Sequence, residues 1–272
     1  MLKIISKAPL SAKFGMVVIT AYALVAIFAD FIAPFAETKI VGMEFEVWGG
    51  DFLLGTDNLG RDMLSRLIFA ARNTVGIALV STILAFLLGG VLGLIAATLG
   101  GVVDQVLSRL MDVLMAVPSL IFALLLLTIL GTNVINLVIV IAVLDATRVF
   151  RLTRAVSMNV VVMDFVEVAR VRGEGLIWII RREILPNIMA PLTAELGLRF
   201  CFVFLTISAL SFLGLGIQPP TADWGTMVRD NASLITFGDI TPLLPAGAIA
   251  LLAVAVNFVV DWMLHRSSGL KS

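Results

Sequence analysis

The sequence predicts an all-α membrane protein that crosses the bilayer six times, and its composition is the first indication. The 272 residues are 60% hydrophobic and only 14% charged, whereas soluble domains are about half apolar and a quarter charged. The mean hydropathy is +1.08, so the chain must bury much of its apolar surface in lipid. The net charge is zero, which gives no indication of nucleic-acid binding. Cys201 is the only cysteine, which excludes a disulfide within the chain.

Six apolar stretches are the second observation, and most approach or exceed the roughly 20 residues that a helix needs to cross a bilayer. They are residues 14–32, 74–99, 110–130, 134–149, 188–215 and 241–264. The chain then divides into an N-terminal segment (1–13), a first transmembrane helix (14–34), an outer segment (35–73), a five-helix core (74–264) with a loop at 151–187, and a tail (265–272). The first stretch lacks a small-residue cleavage site, so it is interpreted as a retained helix.

The orientation follows from lysine and arginine, which concentrate in cytoplasmic loops. Six crossings place both termini on one side, and the termini and the loops on that side carry most of these residues. The opposite side carries Lys39, Arg61, Arg66, Arg72 and Arg229. We therefore expect both termini and the loop 151–187 to be cytoplasmic.

The polar stretch 164–186 is predicted to form two short helices separated by a glycine. Asp164 is a candidate N-cap of the first helix, and Gly173 suits the left-handed position that ends it. The second helix is predicted over residues 175–183, and Pro186 is typical of the first turn of the next helix. Large apolar residues beside charges favour either a partner site or a segment lying on lipid headgroups.

This stretch resembles the EAA loop of ABC-importer permeases, through Glu167-x-Ala169-x-x-x-Gly173 and Ile184-Leu185-Pro186. In that family the loop forms coupling helices that dock into a groove of a cytoplasmic ATPase. The resemblance implies that the ATPase-coupling residues are Glu167, Ala169, Gly173, Ile184, Leu185 and Pro186. Val168 stands where alanine is usual, and Glu183 stands where some members have isoleucine.

A second motif lies in the outer segment and consists of Gly55, Thr56, Asp57, Gly60, Arg61 and Asp62. Taken alone, these residues are typical of a turn-rich loop. The motif also resembles a signature of the dipeptide/oligopeptide/nickel branch of these permeases, as does the last outer loop, 211–225. We expect Arg61, between two aspartates, to pin the loop against the outer end of the bundle rather than to contact substrate.

Charged residues inside the predicted spans form a third group of candidates, because a charge at bilayer depth usually faces the bundle interior or water. Glu195 and Arg199 are four residues apart with the acid first, the favourable order for a helical ion pair. Asp145 and Arg148 could pair likewise. Two interpretations remain open for Glu195, Arg199 and Asp145: a buried neutral cluster, or a polar lining of the translocation path. Small residues at Gly89 and Gly93 indicate close helix packing, and Pro118 predicts a kink.

The resemblance implies a type I ABC-importer permease fold in the bacterial inner membrane. It implies a second, homologous permease, two ABC ATPase subunits or domains and an extracytoplasmic solute-binding protein as partners. The chain lacks a phosphate-binding Gly-x-x-x-x-Gly-Lys-[Ser/Thr] loop, so it is predicted to be no enzyme and to hold no cofactor. ATP and Mg²⁺ are expected in the partner ATPase.

Two alternatives use the same residues differently. An ion-coupled secondary transporter would use Glu195, Arg199 and Asp145, although the chain shows no clear inverted repeat. A membrane scaffold without transport activity would use the polar stretch only for docking. The substrate stays open among peptides, nickel, opines, glycosides and other small solutes.

Overall fold

The computed structural model describes residues 8–49 and 51–267, and within them the fold is helical, with two isolated β-bridges in the outer segment. Residues 1–7 of the predicted N-terminal segment and residues 268–272 of the predicted tail lie outside the described residues. The helices are α1 Leu10–Ile27, α2 Ala29–Ile32, α3 Met63–Leu99, α4 Gly101–Met115, α5 Ser119–Leu130, α6 Val134–Val161, α7 Asp164–Val171, α8 Leu176–Ile179, α9 Leu185–Phe212, α10 Trp224–Asn231 and α11 Leu243–Ser267. A π-helical turn, Ile180–Ile184, joins α8 to α9, and a 3₁₀ turn, Ala232–Phe237, follows α10.

The number of membrane crossings is compatible with the predicted six. By length and composition, four described helical stretches can cross a bilayer: Leu10–Ile27, Met63–Leu99, Leu176–Phe212 and Leu243–His265. The bent pair α4 and α5 supplies a fifth if it is one crossing. The helix α6 has 28 residues, which is long enough for the sixth, although several charged residues interrupt its apolar sequence.

Two helices extend well beyond the apolar stretches that predict them. The helix α3 begins at Met63, where Asp62 accepts a hydrogen bond from Ser65 N–H and caps the first turn. Residues 63–73, predicted as part of an outer loop, are therefore helical. The helix α6 continues to Val161, so that its last turns lie in the predicted loop 151–187. In both cases the polar continuation of the helix lies outside the apolar stretch that hydropathy detects.

The third predicted span is broken rather than straight. The helix α4 ends at Met115, α5 begins at Ser119, and the two axes differ by 84°. Pro118 has ψ of 125° and stands directly before α5, where its missing N–H disrupts no intrahelical hydrogen bond. The expected disruption at Pro118 is confirmed, and it separates two helices instead of bending one.

The helices α3 and α6 pack closely through small residues, as predicted. A Cβ atom added at Gly93 would lie 2.8 Å from Phe150 O and 2.9 Å from Thr153 Cβ. A Cβ atom at Gly89 would overlap the backbone of α6 in the same way. Glycine at these positions therefore lets the two helix backbones approach closely in lipid.

At the other end of the bundle, Trp224 at the start of α10 organises an aromatic core. Its ring meets those of Tyr22 and Phe204 edge-on, at centroid distances of 5.5 and 6.1 Å. Its indole Nε1–H donates to Leu67 O at 3.1 Å, so the buried polar atom is satisfied. This core joins α1, α3, α9 and α10.

Candidate functional site

The candidate site is the segment from α7 to the first turn of α9, and Gly173 sets its central turn. Gly173 has φ of +82°, a conformation that costs residues with a Cβ roughly 1–2 kcal/mol. Gly173 N–H donates to Arg170 O at 2.9 Å, and Glu174 N–H donates to Ala169 O at 3.1 Å. These bonds satisfy carbonyl groups at the end of α7, so the predicted helix end at Gly173 is confirmed.

The start of α7 differs from the prediction. Met163 has the extended backbone of the N-cap position, and Asp164 is the first helical residue; no side chain caps this helix. The prediction that Asp164 is the N-cap is therefore wrong, because the chain enters the helix one residue earlier. Asp164 and Glu167 still lie in the first turn, where the positive end of the helix dipole favours acidic groups.

The second half of the segment is continuous with α9. Residues 176–212 form one helical stretch of 37 residues, in which the π turn Ile180–Ile184 precedes Pro186. Pro186 lies in the first turn of α9 as predicted, but no break separates α9 from the helix before it. The wider π turn ends two residues before Pro186, the residue that lacks a donor.

One face of the segment anchors it to the bundle. Val166 and Ala169 from α7 and Ile179 and Ile184 from the following turns are all buried. They form one apolar cluster with Leu94 near the end of α3 and Ile188 in α9. The segment is therefore held by the ends of long helices rather than suspended as a free loop.

The segment, together with the two residues before it, also exposes large apolar side chains. They are Val162, Met163, Phe165, Val168, Val171, Leu176 and Ile177, and we call them the exposed apolar face. Val171 and Ile177 are 83% and 79% exposed. Charged residues stand among them: Glu167, Arg170, Arg172, Arg181 and Arg182. An open depression of about 480 Å³ lies between Val161, Val162, Glu167, Arg170 and Val171.

The six predicted coupling residues fall into two groups. Glu167, Gly173 and Pro186 are exposed, so a partner can reach them. Ala169 and Ile184 are fully buried and Leu185 is partly buried, so they hold the segment on the bundle. The sequence motif therefore combines exposed positions with positions buried against the bundle.

The three charged residues predicted for the translocation path lie together in the structure. Arg199 Nε lies 2.7 Å from Glu195 Oε1, which is the expected pairing within α9. Arg199 Nη1 also lies 3.5 Å from Asp145 Oδ1 on α6, and Arg148 Nη1 lies 3.6 Å from the same oxygen. The Arg199 guanidinium stacks 4.8 Å from the centre of the Phe202 ring. Two acids and two arginines thus form one cluster without net charge.

The outer motif forms a buried ion cluster. Arg61 Nη2 lies 2.7 Å from Asp57 Oδ2, with the two side chains 6% and 4% exposed, and Arg66 Nε lies 3.1 Å from the same oxygen. Asp57 Oδ1 accepts from Arg61 N–H at 2.9 Å. Asp62 does not pair with Arg61, because it caps α3 and bonds Ser65. Of the two aspartates, Arg61 pairs with Asp57 alone, within the loop. The link from this carboxylate to the bundle is made by Arg66 of α3.

The remaining motif residues shape the same loop. Gly55 and Gly60 have φ of +71° and +72°, and an added Cβ at either position would overlap a backbone carbonyl. The Thr56 hydroxyl donates to Met43 O at 2.6 Å and accepts from Glu46 N–H at 2.8 Å. These residues close the loop on itself, which agrees with a structural use of the motif.

Asp223 is a polar residue that sequence reasoning did not single out. It is fully buried and caps α10, accepting from Thr226 N–H at 2.9 Å and from the Thr74 hydroxyl at 2.8 Å. Burial raises the pKa of the Asp223 carboxyl, although its hydrogen bonds act in the opposite direction. An aspartate three residues before a threonine at a helix start is the signal that predicts such a cap. Among residues 8–49 and 51–267, no group of three or more His, Cys, Asp or Glu is arranged to hold a metal ion.

Comparison with known proteins places this chain in a family. Residues 89–268 match the family described as "Binding-protein-dependent transport system inner membrane component". The di/tripeptide transport system permease protein DppC of Pseudomonas aeruginosa (strain UCBPP-PA14) is 39% identical over 243 residues, covering 87% of this chain and 80% of that protein. The dipeptide transport system permease protein DppC of Escherichia coli (strain K12) is 36% identical over 257 residues, covering 92% and 86%.

A solved structure shares the fold. The crystal structure of an amino acid ABC transporter with histidines matches with a TM-score of 0.56 and 19% sequence identity, covering 74% of this chain and 94% of that chain. The family match, the relatives and this fold agree with one another. The chain therefore belongs to the family of binding-protein-dependent transport system inner membrane components, the permeases of ABC importers.

Proposed function

We propose that this permease subunit imports peptides, and that residues 164–186 couple it to ATPases on the cytoplasmic side. Membership of the permease family rules out the alternative of an ion-coupled secondary transporter. The same family membership and the several apolar helices indicate that the protein crosses the bacterial inner membrane several times. The peptide substrate is supported by relatives whose names specify dipeptide or di/tripeptide transport.

The observation that carries the coupling proposal is the two-faced structure of the segment. Its buried face joins the ends of α3 and α6 and the start of α9, and its exposed apolar face is rimmed by charge. Apolar patches of this kind mark protein interaction sites. Since α8 continues into α9 without a break, a displacement of the docked segment would move a membrane-spanning helix directly.

The transport cycle follows from this connection. ATP binding closes two ATPase subunits, which carry the nucleotide and Mg²⁺, and the segment 164–186 moves with them. A second, homologous permease completes the translocation path, and a solute-binding protein delivers the peptide from outside. The helices then rock between inward-open and outward-open states, so that access to the path alternates.

Gly173→Asp tests the coupling role with a matched control. A Cβ at Gly173 meets no atom of this chain within 4 Å, and the same holds for Gly238, which has φ of +79° and lies beyond the other end of α9. Both substitutions add the same charge and the same backbone strain, but only Gly173 lies on the proposed docking surface. The complete importer should lose ATP-dependent dipeptide uptake at least about tenfold in Gly173→Asp, as expected for a misplaced charge at an interface, and less than about twofold in Gly238→Asp.

Co-purification separates docking from folding. The Gly173→Asp permease should still insert and elute as a folded protein in detergent, but it should retain less ATPase than the wild type. Equal ATPase retention and equal uptake in the two glycine variants would contradict the coupling role. Uptake of a different solute, with no dipeptide uptake by the wild-type importer, would contradict the peptide assignment alone.

A further inference from the structure

Asp145 is a buried carboxylate with one oxygen left unpartnered. Its side chain is 8% exposed, and its Oδ1 lies 3.5 Å from Arg199 Nη1 and 3.6 Å from Arg148 Nη1. Both distances are long for hydrogen bonds between charged groups. Its Oδ2 accepts no hydrogen bond from any residue in the described part of the chain. A buried carboxylate oxygen without a donor is strongly unfavourable, so this arrangement requires an explanation.

Two other buried aspartates among the described residues, Asp57 and Asp223, have partners on both carboxylate oxygens, unlike Asp145. Asp57 accepts from backbone N–H groups through Oδ1 and from Arg61 through Oδ2. Asp223 accepts from Thr74 through Oδ1 and from Thr226 through Oδ2. These two carboxylates stabilise the outer loops and need nothing further. Asp145 Oδ2 keeps its capacity to accept a hydrogen bond.

The free oxygen belongs to a residue that lines a small cavity between α5, α6 and α9. The cavity has a volume of about 20 Å³, and its polar lining consists of Asp145, Arg148, Ser119 and Thr206. A space of this size holds one group as large as a water molecule. An ammonium nitrogen is of that size and carries three donors. The remaining walls are apolar, so a fully hydrated ion does not fit.

In the predicted six-crossing topology, where α6 is the fourth crossing, the cavity lies deep in the membrane. Asp145 lies eleven residues after Val134, the first residue of α6, which corresponds to roughly 17 Å along the helix axis. Charged residues at such depth mark substrate or ion pathways. The cluster of Asp145, Glu195, Arg148 and Arg199 has no net charge, which suits a solute that carries both signs.

We propose that Asp145 Oδ2 binds the ammonium group of a peptide in transit through the permease. This inference rests on the proposed function and adds to it a contact inside the membrane. Arg148, whose side chain is 41% exposed beside the cavity, is the neighbouring cation and limits the site to a single positive group. In this arrangement Glu195 neutralises Arg199, and Asp145 remains free to accept from the substrate.

Uptake by the complete importer in proteoliposomes tests this contact. The probes are alanyl-alanine and its N-acetylated form, each supplied at a concentration that saturates the solute-binding protein in a separate titration. Asp145→Asn should lower the maximum uptake rate of alanyl-alanine at least tenfold and that of the acetylated form less than twofold. Asp112→Asn is the matched control, because Asp112 forms an exposed pair with Arg151, and both rates should stay within twofold of the wild type.

Equal loss of both peptides in Asp145→Asn, or no loss, would overturn the inference. A wild-type importer that carries neither peptide would instead refute the proposed peptide function, and the inference would fall with it. A second measurement needs no variant: a high-resolution structure of the wild-type importer should show a bound atom within hydrogen-bond distance of Asp145 Oδ2. A carboxylate with both oxygens paired to Arg148 and Arg199 in that structure would overturn the inference as well.

Discussion

Substituting Gly93 with alanine tests whether α3 and α6 pack as closely as the structure shows. A Cβ at Gly93 would lie 2.8 Å from Phe150 O, 2.9 Å from Thr153 Cβ and 3.0 Å from Arg154 N. Two of these atoms belong to the backbone of α6, so they cannot rotate away. The helices must therefore separate to accept the methyl group. Gly90 is the matched control, because a Cβ there meets nothing within 4 Å.

The control also isolates the size of the effect. Alanine stabilises a helix interior over glycine by roughly 0.5–1 kcal/mol, and this gain is common to both variants. Overpacking costs typically about 1–3 kcal/mol, and it applies to Gly93→Ala alone. We therefore expect the free energies of unfolding of the two variants to differ by about 1–3 kcal/mol, with Gly90→Ala the more stable.

Thermal unfolding of the purified permease in detergent measures this difference. One kcal/mol corresponds to a shift of roughly 2–4 °C for a chain of 150–250 residues, so Gly93→Ala should unfold several degrees below Gly90→Ala. Measuring both variants at one protein and detergent concentration removes differences in solubilisation. Equal unfolding temperatures would show that α3 and α6 are not in the contact described, and the packing argument would fail.

Two further predictions concern the outer loops. Arg61→Ala should destabilise the protein by about 3 kcal/mol, because it leaves the buried Asp57 carboxylate poorly paired, whereas Arg151→Ala should cost less than about 1 kcal/mol, because its pair with Asp112 is about half exposed. Chemical unfolding measures both variants, and equal losses of unfolding free energy in Arg61→Ala and Arg151→Ala would contradict this. The raised pKa of Asp223 means that the folded state binds the proton more tightly than the unfolded state. Its contribution to stability is therefore full below about pH 3.9 and is lost as the pH rises through the folded-state pKa. Between about pH 4 and about pH 7 the unfolding temperature of the wild type should therefore fall further than that of Asp223→Asn. Parallel pH profiles of the two unfolding temperatures would refute this.

Local sequence patterns predicted the features that depend on one helix or one turn. Gly173 ends α7 with positive φ because only the residue type and its neighbours decide that turn. Glu195 and Arg199 pair because four residues make one helical turn. Gly89 and Gly93 pack against α6 because small residues on one face permit close approach. Each of these inferences needs only the helical period and the size or charge of a side chain.

Features that depend on distant partners were not visible in the sequence. The helix α3 starts at Met63, where Asp62 caps it. Its polar first turns are held because Arg66 and Asn73 find partners in Asp57 and Glu37 across the outer loop. The contact between Arg199 and Asp145 joins residues 54 positions apart. Hydropathy marks where a helix enters lipid, but tertiary contacts decide where the helix itself begins and ends.

The uninterrupted stretch from Leu176 to Phe212 has a mechanical consequence. Its 37 residues extend over roughly 55 Å, with part of the proposed docking segment at one end and the membrane-crossing part at the other. The helix would pivot between these two parts, at the π turn Ile180–Ile184 and the cluster around Ile184 and Ile188. A displacement of a few ångströms at the Leu176 end would then move Arg199 relative to Asp145 on α6. Arg199 lies roughly 35 Å along the helix from Leu176. On the proposed coupling, force from the ATPases would reach the charge cluster through this one helix, in which Pro191 lies between the segment 164–186 and Arg199.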